Sequence, residues 1–352
     1  MKTETDYLIV GQGLAGTALA LTLLEKGIDV TVIDNHHVGS SSVVAAGMFN
    51  PIVFKKLNKS WRIDDLLPEM TRFYRFWEEK WQKQFLFEMP IARLFPGIDY
   101  QNDWMAKSAE PGYEKYLFDD EDWSLPGIKL RFNNGFGLVK RSGYLDVAAF
   151  LETAKEYLLE KRVLILDKLN YSDIDVQPDS VTWNRVTAKK LIFCEGYKGA
   201  ENPWFSYLPF GNTKGEVLTI EAEGLPTKII PNLGVWMLPV GNSKYRVGAT
   251  FDWKDHSLEI TDSAKEKLEQ ELKQLTDQPY RIEKQLAGIR PTAQDRRPIV
   301  GLHPQHKSLG FFNTLGTKGV CIAPWTAQRL VEFLEEGIEL PTDIDINRFK
   351  TK

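Results

Sequence analysis

The apolar positions at the start of the chain form two short runs on either side of a longer one. Residues 7–10 and 30–33 have the length and the β-branched content of buried strands, and the segment from Leu14 to Lys26 has the length of a helix. Glycines occupy the turn before this helix at the spacing G-x-G-x-x-G, and Asp34 closes the second strand. This order of elements predicts a dinucleotide-binding unit.

Each residue type in this turn has a physical role in the predicted unit. Gly11 permits the tight turn, Gly13 lets the backbone approach a pyrophosphate, and Gly16 lets the helix pack closely on the strand. The N-terminus of the helix presents unpaired N–H groups to the phosphates. Asp34 lies where a ribose hydroxyl needs an acceptor. The unit by itself leaves the identity of the dinucleotide open.

Later apolar stripes have the spacing of helices. Residues 63–85 carry a wide stripe of large apolar and aromatic side chains, and residues 147–158 carry a second one. Near the end of the chain an apolar strand leads through glycines into a helix that is expected to end at Gly337, a typical C-cap residue. An aromatic stripe of this kind is most often buried in the core.

The middle of the chain has a different pattern. Short runs of partly alternating polarity lie between residues 215 and 250, and Gly241-Asn242 is a suitable hairpin turn, so an antiparallel sheet is predicted. Ser263 and Glu266 fit a capping box that would open a further helix.

Composition narrows the classes of function. A chain of 352 residues should divide into about two domains, and its formal charge of −4 gives no reason to expect a nucleic-acid or membrane partner. Two cysteines, Cys194 and Cys321, are too few for a disulfide framework or a four-cysteine zinc site, and no metal is expected. The first six residues lack the apolar core of a signal peptide, so a cytoplasmic protein is expected.

A run of small residues from Ser41 to Gly47 follows the dinucleotide unit and indicates backbone lying along an extended ligand. Together with the turn at Gly11–Gly16, this run resembles the D-amino-acid oxidase family of flavoproteins. Within that family the resemblance extends to glycine oxidase and to the oxidase domain of the bifunctional wobble-uridine tRNA-modification enzyme. The resemblance implies FAD, bound non-covalently, although the place of Cys321 near the last glycine turn raises the question of a covalent link.

The resemblance also implies the fold class. We expect an α/β protein with a Rossmann-like FAD-binding domain of the glutathione-reductase type and a second, mainly antiparallel α+β substrate domain. The FAD-binding domain is predicted to comprise residues 1–58, 135–205 and 285–352. The substrate domain is predicted to comprise residues 59–134 and 206–284.

The residues implied to contact FAD lie in four motifs. The motifs are the first glycine turn with its acid, the small-residue run, the strand end near Cys194 and the glycine turn before the last helix. Their members are Gly11, Gln12, Gly13, Leu14, Ala15, Gly16, Asp34, Asn35, Ser41, Ser42, Ala46, Gly47, Met48, Cys194, Glu195, Gly196, Gly316, Thr317, Lys318, Gly319 and Val320.

Three residues are predicted to act at the reacting end. Arg290 matches the family's carboxylate-binding arginine, and its guanidinium offers a bidentate fork. Trp236 stands where the family usually has a tyrosine, which favours a larger secondary amine or an N-carboxymethyl group over a small amino acid. Lys318 stands where glycine oxidase-like sequences have a His-x-Arg pattern and would supply a cation near reduced flavin. A salt-bridged arginine and a solvent-facing lysine are the alternatives.

The implied activity is oxidation of the C–N bond of an amino acid or secondary amine by hydride transfer to flavin N5. The partners would be a small-molecule substrate and either oxygen or another electron acceptor. One alternative is a tRNA-modification oxidase that acts on a carboxymethylaminomethyl group, and another is a non-catalytic flavin-binding subunit. A nicotinamide dehydrogenase is disfavoured, because the segments Ser41–Gly47 and Gly316–Gly319 would then have no ligand to contact.

Overall fold

Two large β-sheets frame the molecule, each covered by helices. The computed structural model describes residues 3–35, 41–118, 124–130 and 135–349. Parts of the predicted domain ranges, including both chain termini, lie outside the described residues. The combination of one sheet with a parallel centre and one mainly antiparallel sheet agrees with the predicted fold class.

The first sheet carries the glycine turn. Strand Thr3–Val10 lies at its centre and pairs in parallel with Val30–Asp34 on one side and with Val186–Phe193 on the other. The remaining strands of this sheet are Leu164–Leu166, Ile174–Val176, Val181–Trp183, Ile299–Leu302 and Leu309–Asn313. The predicted strand at 30–33 is confirmed, and the first strand begins earlier than its apolar run, because backbone pairing extends into polar residues.

Three helices pack together on one face of this sheet. They are Leu14–Glu25, Ile63–Trp81 and Gly319–Glu336, and their apolar side chains form one continuous core. The last helix ends at Gly337, whose φ of 71° is left-handed, which confirms the predicted C-cap. The other helices are Ser41–Val44, Ile98–Ser108, Val147–Glu160 and Asp262–Leu275, and short 3₁₀ turns lie at Tyr171–Asp173, Gly196–Glu201, Gly316–Lys318 and Ile346–Arg348.

The second sheet confirms the predicted antiparallel region and extends it. In spatial order its strands are Tyr280–Arg290, Thr213–Ala222, Lys244–Gly248, Val235–Gly241, Ile230–Leu233, Ile91–Leu94, Phe136–Val139 and Leu117–Phe118. The hairpin turn is centred on Asn242-Ser243, where both residues have positive φ, rather than on Gly241-Asn242. Two turn residues with positive φ match the right-handed twist of the strands.

Helix Asp262–Leu275 covers the far face of the second sheet. Its leucines at positions 268, 272 and 275 are buried against that sheet. The capping box predicts Ser263 as the N-cap, but the helix begins at Asp262, so Ser263 lies inside the helix and the capping box is wrong. The N-cap is Thr261, whose Oγ1 accepts a hydrogen bond from the Ala264 N–H at 3.2 Å. Thr261, two residues before Ser263, can cap the helix as Ser263 would, because the hydroxyl of either residue type can accept a hydrogen bond from an N–H of the first turn.

Two segments pack differently from the predicted division into domains. Helix Ile63–Trp81, expected in the substrate domain, lies against the last helix, where Tyr74 Oη donates to the Val320 carbonyl at 3.1 Å. Strand Phe136–Val139, expected in the FAD-binding domain, belongs to the second sheet. The division itself stays a prediction.

Two small sheets complete the described secondary structure. One contains Met48–Phe49, Leu86–Glu88 and Gly143–Leu145, and the other pairs Ile52–Val53 with Asn58–Lys59. Among the described helices, none has both the length and the apolar composition needed to cross a bilayer.

Candidate active site

A cavity of 540 Å³ is lined by residues of both large sheets. At one end it reaches the first glycine turn, and at the other it reaches the last residues of strand Tyr280–Arg290. Its wall is drawn from segments that are far apart in sequence, namely 10–15, 33–35, 41–48, 167–171, 194–201, 215–217, 236, 249–251, 288–291 and 313–320. We call its two parts the dinucleotide end and the substrate end.

Close backbone packing forms the dinucleotide end. Gly11 has a φ of 101°, and a Cβ at this position would lie 2.6 Å from the Cys194 carbonyl oxygen. A Cβ on Gly16 would lie 1.8 Å from the Gly11 carbonyl oxygen, so this glycine sets how closely helix and strand approach. The Gln12 N–H donates to Asp34 Oδ1 at 2.9 Å, which ties the acid to the turn.

The first helix begins at the cavity, and neither a capping side chain nor an acidic residue neutralises the partial positive charge at its N-terminus. Its N-cap is Gly13, which has no side chain to accept the first N–H groups, and its first turn contains no acidic residue. The Leu14 N–H makes one long contact, 3.5 Å, to Ser42 Oγ. An anionic diphosphate would therefore meet unneutralised N–H dipoles here.

Most residues predicted to contact the cofactor line this cavity. They are Gly11, Gly13, Leu14, Ala15, Asp34, Asn35, Ser41, Ser42, Ala46, Gly47, Met48, Cys194, Glu195, Gly196, Gly316, Thr317, Gly319 and Val320. Gln12 and Gly16 do not, because the Gln12 side chain turns away to bond Thr17 Oγ1 and the Leu151 carbonyl, and Gly16 packs on Gly11. Contact of each residue with the cofactor stays a prediction.

Lys318 also lies outside the cavity wall. Its ammonium donates to Ser60 Oγ and, at 3.4 Å, to the Asn50 carbonyl, and burial lowers its pKa. The side chain is therefore neither turned to solvent nor aimed into the cavity. Any influence on the cofactor would act through the neighbouring turn at Gly316–Gly319.

Sequence reasoning missed one part of the dinucleotide end. Tyr171, with residues 167–169 before it and 197–201 from another loop, lines the cavity beside Glu195. Tyr171 Oη donates to Glu195 Oε1 at 2.7 Å, and Asn202 Nδ2 donates to Oε2 at 2.8 Å. Burial raises the pKa of Glu195 despite these donors. The loops carry no motif, so no sequence signal identified them.

The small-residue run passes over the middle of the cavity and is held from both sides. Gly47 has a φ of 68°, and a Cβ there would lie 2.0 Å from the Leu145 carbonyl oxygen. From the second sheet, Arg246 donates to the Ala45 carbonyl at 2.9 Å and to the Val44 carbonyl at 2.5 Å. Burial lowers the pKa of Arg246. This arginine was not predicted, and it fixes the run to the substrate side.

Arg290 lies at the substrate end with its guanidinium in the cavity wall. The group crosses strand Thr213–Ala222 at Gly215, where a Cβ would lie 2.1 Å from Nη2. Its carbon lies 4.5 Å from the ring centre of Phe251, and Nη1 donates at long distance to the carbonyls of Lys214 and Thr250. Burial lowers its pKa to about 10, so it is charged at neutral pH, and no carboxylate among the described residues pairs with it.

Trp236 forms an apolar wall at the same end. It pairs across the sheet with Gly248, which pairs in turn with Val217, so all three face the cavity side. A Cβ on Gly248 would lie 2.8 Å from the indole ring, which shows how closely the ring covers that glycine. The acidic residues of the cavity wall all belong to segments of the dinucleotide end; they are Asp34, Asp167, Glu195 and Glu201.

The comparison of sequences decides the family. Residues 6–333 match the family described as FAD dependent oxidoreductase (DAO). The chain belongs to this family. Its members use FAD, and the enzyme is therefore a flavin-dependent oxidoreductase.

Relatives and solved structures agree with this assignment. The tRNA 5-methylaminomethyl-2-thiouridine biosynthesis bifunctional protein of Idiomarina loihiensis is 24% identical, over 98% of this chain and 59% of that protein. Glycine oxidase of Bacillus licheniformis is 20% identical, over 95% of this chain and 94% of that enzyme. The crystal structure of glycine oxidase from Geobacillus kaustophilus superposes with a TM-score of 0.77 at 18% identity, covering 99% of both chains.

The cavity fits the cofactor of this family. Three stretches of its wall, at Gly11–Gly13, Ala46–Gly47 and Gly316–Gly319, are lined by glycine or other small residues, so backbone can approach a long ligand along its length. The first of these stretches has the uncompensated helix end that a diphosphate requires.

Proposed function

We propose that the chain oxidises the C–N bond of a carboxylate-bearing amine, with Arg290 holding the carboxylate. A half-buried guanidinium in the cavity wall, without an acidic partner among the described residues, carries this proposal. Retaining an unpaired charge away from water is unfavourable unless a ligand supplies the counter-charge. Among the residues that the structure describes, no carboxylate supports the alternative of a salt-bridged arginine at a domain junction.

FAD supplies the electron-accepting chemistry when bound, and the chain supplies position and environment. Arg290 orients the substrate through two parallel hydrogen bonds to its carboxylate. Trp236 and Val217 exclude water from the substrate end, which strengthens that charge pair. Among the described residues, no acidic or histidine side chain lines the cavity wall at this end to take a proton, so the amine must arrive unprotonated.

The bulk of Trp236 supports a substrate larger than glycine. An indole N–H can donate a hydrogen bond but cannot accept one, whereas a tyrosine hydroxyl can do both, so Trp236 cannot fully replace a tyrosine. A secondary amine, or an N-carboxymethyl group on a larger molecule, would place its carboxylate on Arg290 and its remainder toward the cavity mouth.

We further propose that oxygen is the electron acceptor, which a measurement of oxygen consumption would test. We also propose that the enzyme is cytoplasmic, which cell fractionation would test.

A carboxymethylaminomethyl group on a tRNA is the second candidate substrate. The alignment to the tRNA-modifying relative spans nearly the whole of this chain, and this chain spans about three fifths of that relative. Residues 251–260 beside the substrate end contain three acidic residues and one lysine, which would repel a polyphosphate backbone. This charge favours a small-molecule substrate.

We also propose that FAD is held without a covalent bond. Cys321 is buried and its thiol lies 3.5 Å from Met70 Sδ, in the contact between two helices rather than on the cavity wall. Acid precipitation of the purified protein is expected to leave the flavin in the supernatant.

Anaerobic reduction of the bound flavin by a panel of amino acids and N-substituted glycines tests the proposed function. For Arg290→Ala we expect the KM of a carboxylate substrate to rise about 10- to 100-fold, since a hydrogen bond to a charged group contributes about 1.5–3 kcal/mol. The amount of bound FAD should stay at the wild-type level, and Arg290→Lys should recover part of the loss. Unchanged kinetics with a confirmed substrate would contradict the role of Arg290, and no reduction by any amine would support a non-catalytic flavin subunit.

A further inference from the structure

Two aromatic side chains, Phe251 at the substrate end and Trp253 two residues further along the chain, are unusually exposed. They are 55% and 54% exposed, and of the Phe and Trp side chains in the described part of the chain they alone are more than half exposed. Phe251 also lines the cavity. Large aromatic side chains left open beside a cavity mark a surface that a ligand or partner covers.

The backbone explains why both rings belong to the cavity mouth. After strand Lys244–Gly248 the chain stays beside strand Thr213–Ala222, and Asp252 exchanges two backbone hydrogen bonds with Lys214 at 2.8 and 2.9 Å. The Lys214 side chain is buried on the far face of the sheet. Alternation along an extended chain therefore places Phe251 and Trp253 toward the opposite face, which is the face of the cavity.

The segment that carries these rings is anchored. Lys214, which is 2% exposed, donates to Asp255 Oδ2 at 2.5 Å, and the Thr261 N–H donates to Glu216 Oε2 at 3.0 Å. Both anchors lie on strand Thr213–Ala222, directly behind the Arg290 guanidinium. The rings are thus presented at a fixed distance from the residue proposed to bind the carboxylate.

We infer that the substrate carries an aromatic group on its amine, and that this group stacks on Phe251 and Trp253 while the carboxylate is on Arg290. The inference rests on the proposed function and specifies its substrate class. Aromatic rings prefer offset or edge-to-face contact with other rings, which an aromatic group on the amine would make with Phe251 and Trp253. An N-arylalkyl amino acid has this combination.

Binding of ligands that cannot be oxidised separates this inference from the proposed function. Phenoxyacetate, cyclohexyloxyacetate and methoxyacetate share a carboxylate and lack the amine, and their dissociation constants can be read from the perturbed spectrum of oxidised flavin in the holoenzyme. We expect phenoxyacetate to bind about 3- to 10-fold more tightly than cyclohexyloxyacetate, the range given by an aromatic pair beyond its buried area. Methoxyacetate should bind most weakly.

Variants assign the preference to the two rings. Trp253→Leu and Phe251→Leu should each reduce the ratio between phenoxyacetate and cyclohexyloxyacetate, and Trp253→Phe should largely restore it. Phe76→Leu replaces a partly exposed ring on a distant helix and should leave the ratio unchanged.

Equal affinity for the two cyclic ligands in the wild type would overturn the inference, whatever amine the enzyme oxidises. An unchanged ratio in both leucine variants would overturn it as well. If the ratio is as expected but neither N-benzyl amino acids nor any other amine of the panel reduces the flavin, the proposed reaction fails while the aromatic subsite stands.

Discussion

The dinucleotide end of the cavity is lined mainly by backbone atoms, whereas the substrate end is lined mainly by side chains. At the dinucleotide end the wall is mostly backbone, and its shape depends on glycines such as Gly11 and Gly47 in conformations or contacts that a side chain would prevent. At the substrate end the wall is made of side chains, and Arg290 and Trp236 reach it from strands of one sheet. A backbone wall suits a ligand that is common to a whole family, whereas a side-chain wall can change with the substrate.

The two ends also respond differently to substitution. A Cβ at Gly11 meets the backbone of a neighbouring strand, which cannot move without moving the sheet. The three atoms nearest to a Cβ at Gly215 all belong to the Arg290 guanidinium, the far end of a flexible side chain. Loss of the first glycine should therefore remove the cofactor together with stability, and loss of the second should change substrate binding alone.

Gly11→Ala is expected to have the largest effect. Alanine at a φ of 101° is strained, and strain of this kind contributes about 1–3 kcal/mol of destabilisation before the contact with the Cys194 carbonyl is counted. We expect a lower melting temperature and a purified protein with little flavin, measured by thermal denaturation and by the ratio of flavin to protein absorbance. Gly97→Ala, where a Cβ meets nothing within 4 Å, is the matched control. Full flavin content in Gly11→Ala would mean that the backbone wall is not rigid.

Gly215→Ala should give the next largest effect, and only at the substrate end. The methyl group displaces the guanidinium of Arg290, so the KM of a carboxylate substrate should rise about 10-fold, the equivalent of one charged hydrogen bond of about 1.5 kcal/mol. Flavin content and melting temperature should stay near those of the wild type. Gly211→Ala, with no neighbour closer than 3.7 Å to the new Cβ, should leave KM unchanged. A fall in flavin content equal to that of Gly11→Ala would show that the two ends are not separable.

Arg246 joins the two ends, and its replacement should have the smallest of the three effects. Arg246→Met removes two hydrogen bonds to the carbonyls of Val44 and Ala45, and we expect the dissociation constant of FAD for the apoprotein to rise about 3- to 10-fold, because much of each bond's contribution can be replaced by water. Arg246→Lys should recover part of the affinity.

Fluorescence titration of apoprotein with FAD measures this effect, and hydrogen exchange of residues 41–48 reports whether the run has loosened. Lys244→Met, on the same strand with an exposed side chain, serves as the control. Wild-type affinity in Arg246→Met would show that Gly47 and its contact with Leu145 hold the run without help from the second sheet.

The parts of this protein that were predictable from sequence are those in which neighbours in the chain are neighbours in space. The first glycine turn, its helix and Asp34 lie within thirty residues, so a local pattern determines both the structure and the ligand class. The hairpin near residue 242 and the C-cap at Gly337 were predictable for the same reason. Glycine and asparagine adopt positive φ more readily than other residues, so their presence indicates a turn, and in the structure Asn242 and Gly337 have positive φ.

Prediction from sequence was weakest in two cases: where a contact joins residues far apart in the chain, and where several nearby residues could have the same role. The capping box at Ser263 failed because Thr261 offers the same hydroxyl two residues earlier. Lys318 was placed on the cofactor because of its position in the glycine turn, but the direction of its side chain depends on Ser60, which comes from a distant hairpin.

The sequence by itself determined the family, the cofactor and the identity of Arg290 as the residue that meets the carboxylate in our proposal. Only the tertiary structure decided what surrounds that arginine. Gly215 lies 75 positions before Arg290, and Phe251 arrives by a separate stretch of chain, so no local pattern relates them. Antiparallel register brings them together, because pairing fixes which side chains share a face of the sheet, and that register is set by the packing of the whole second sheet.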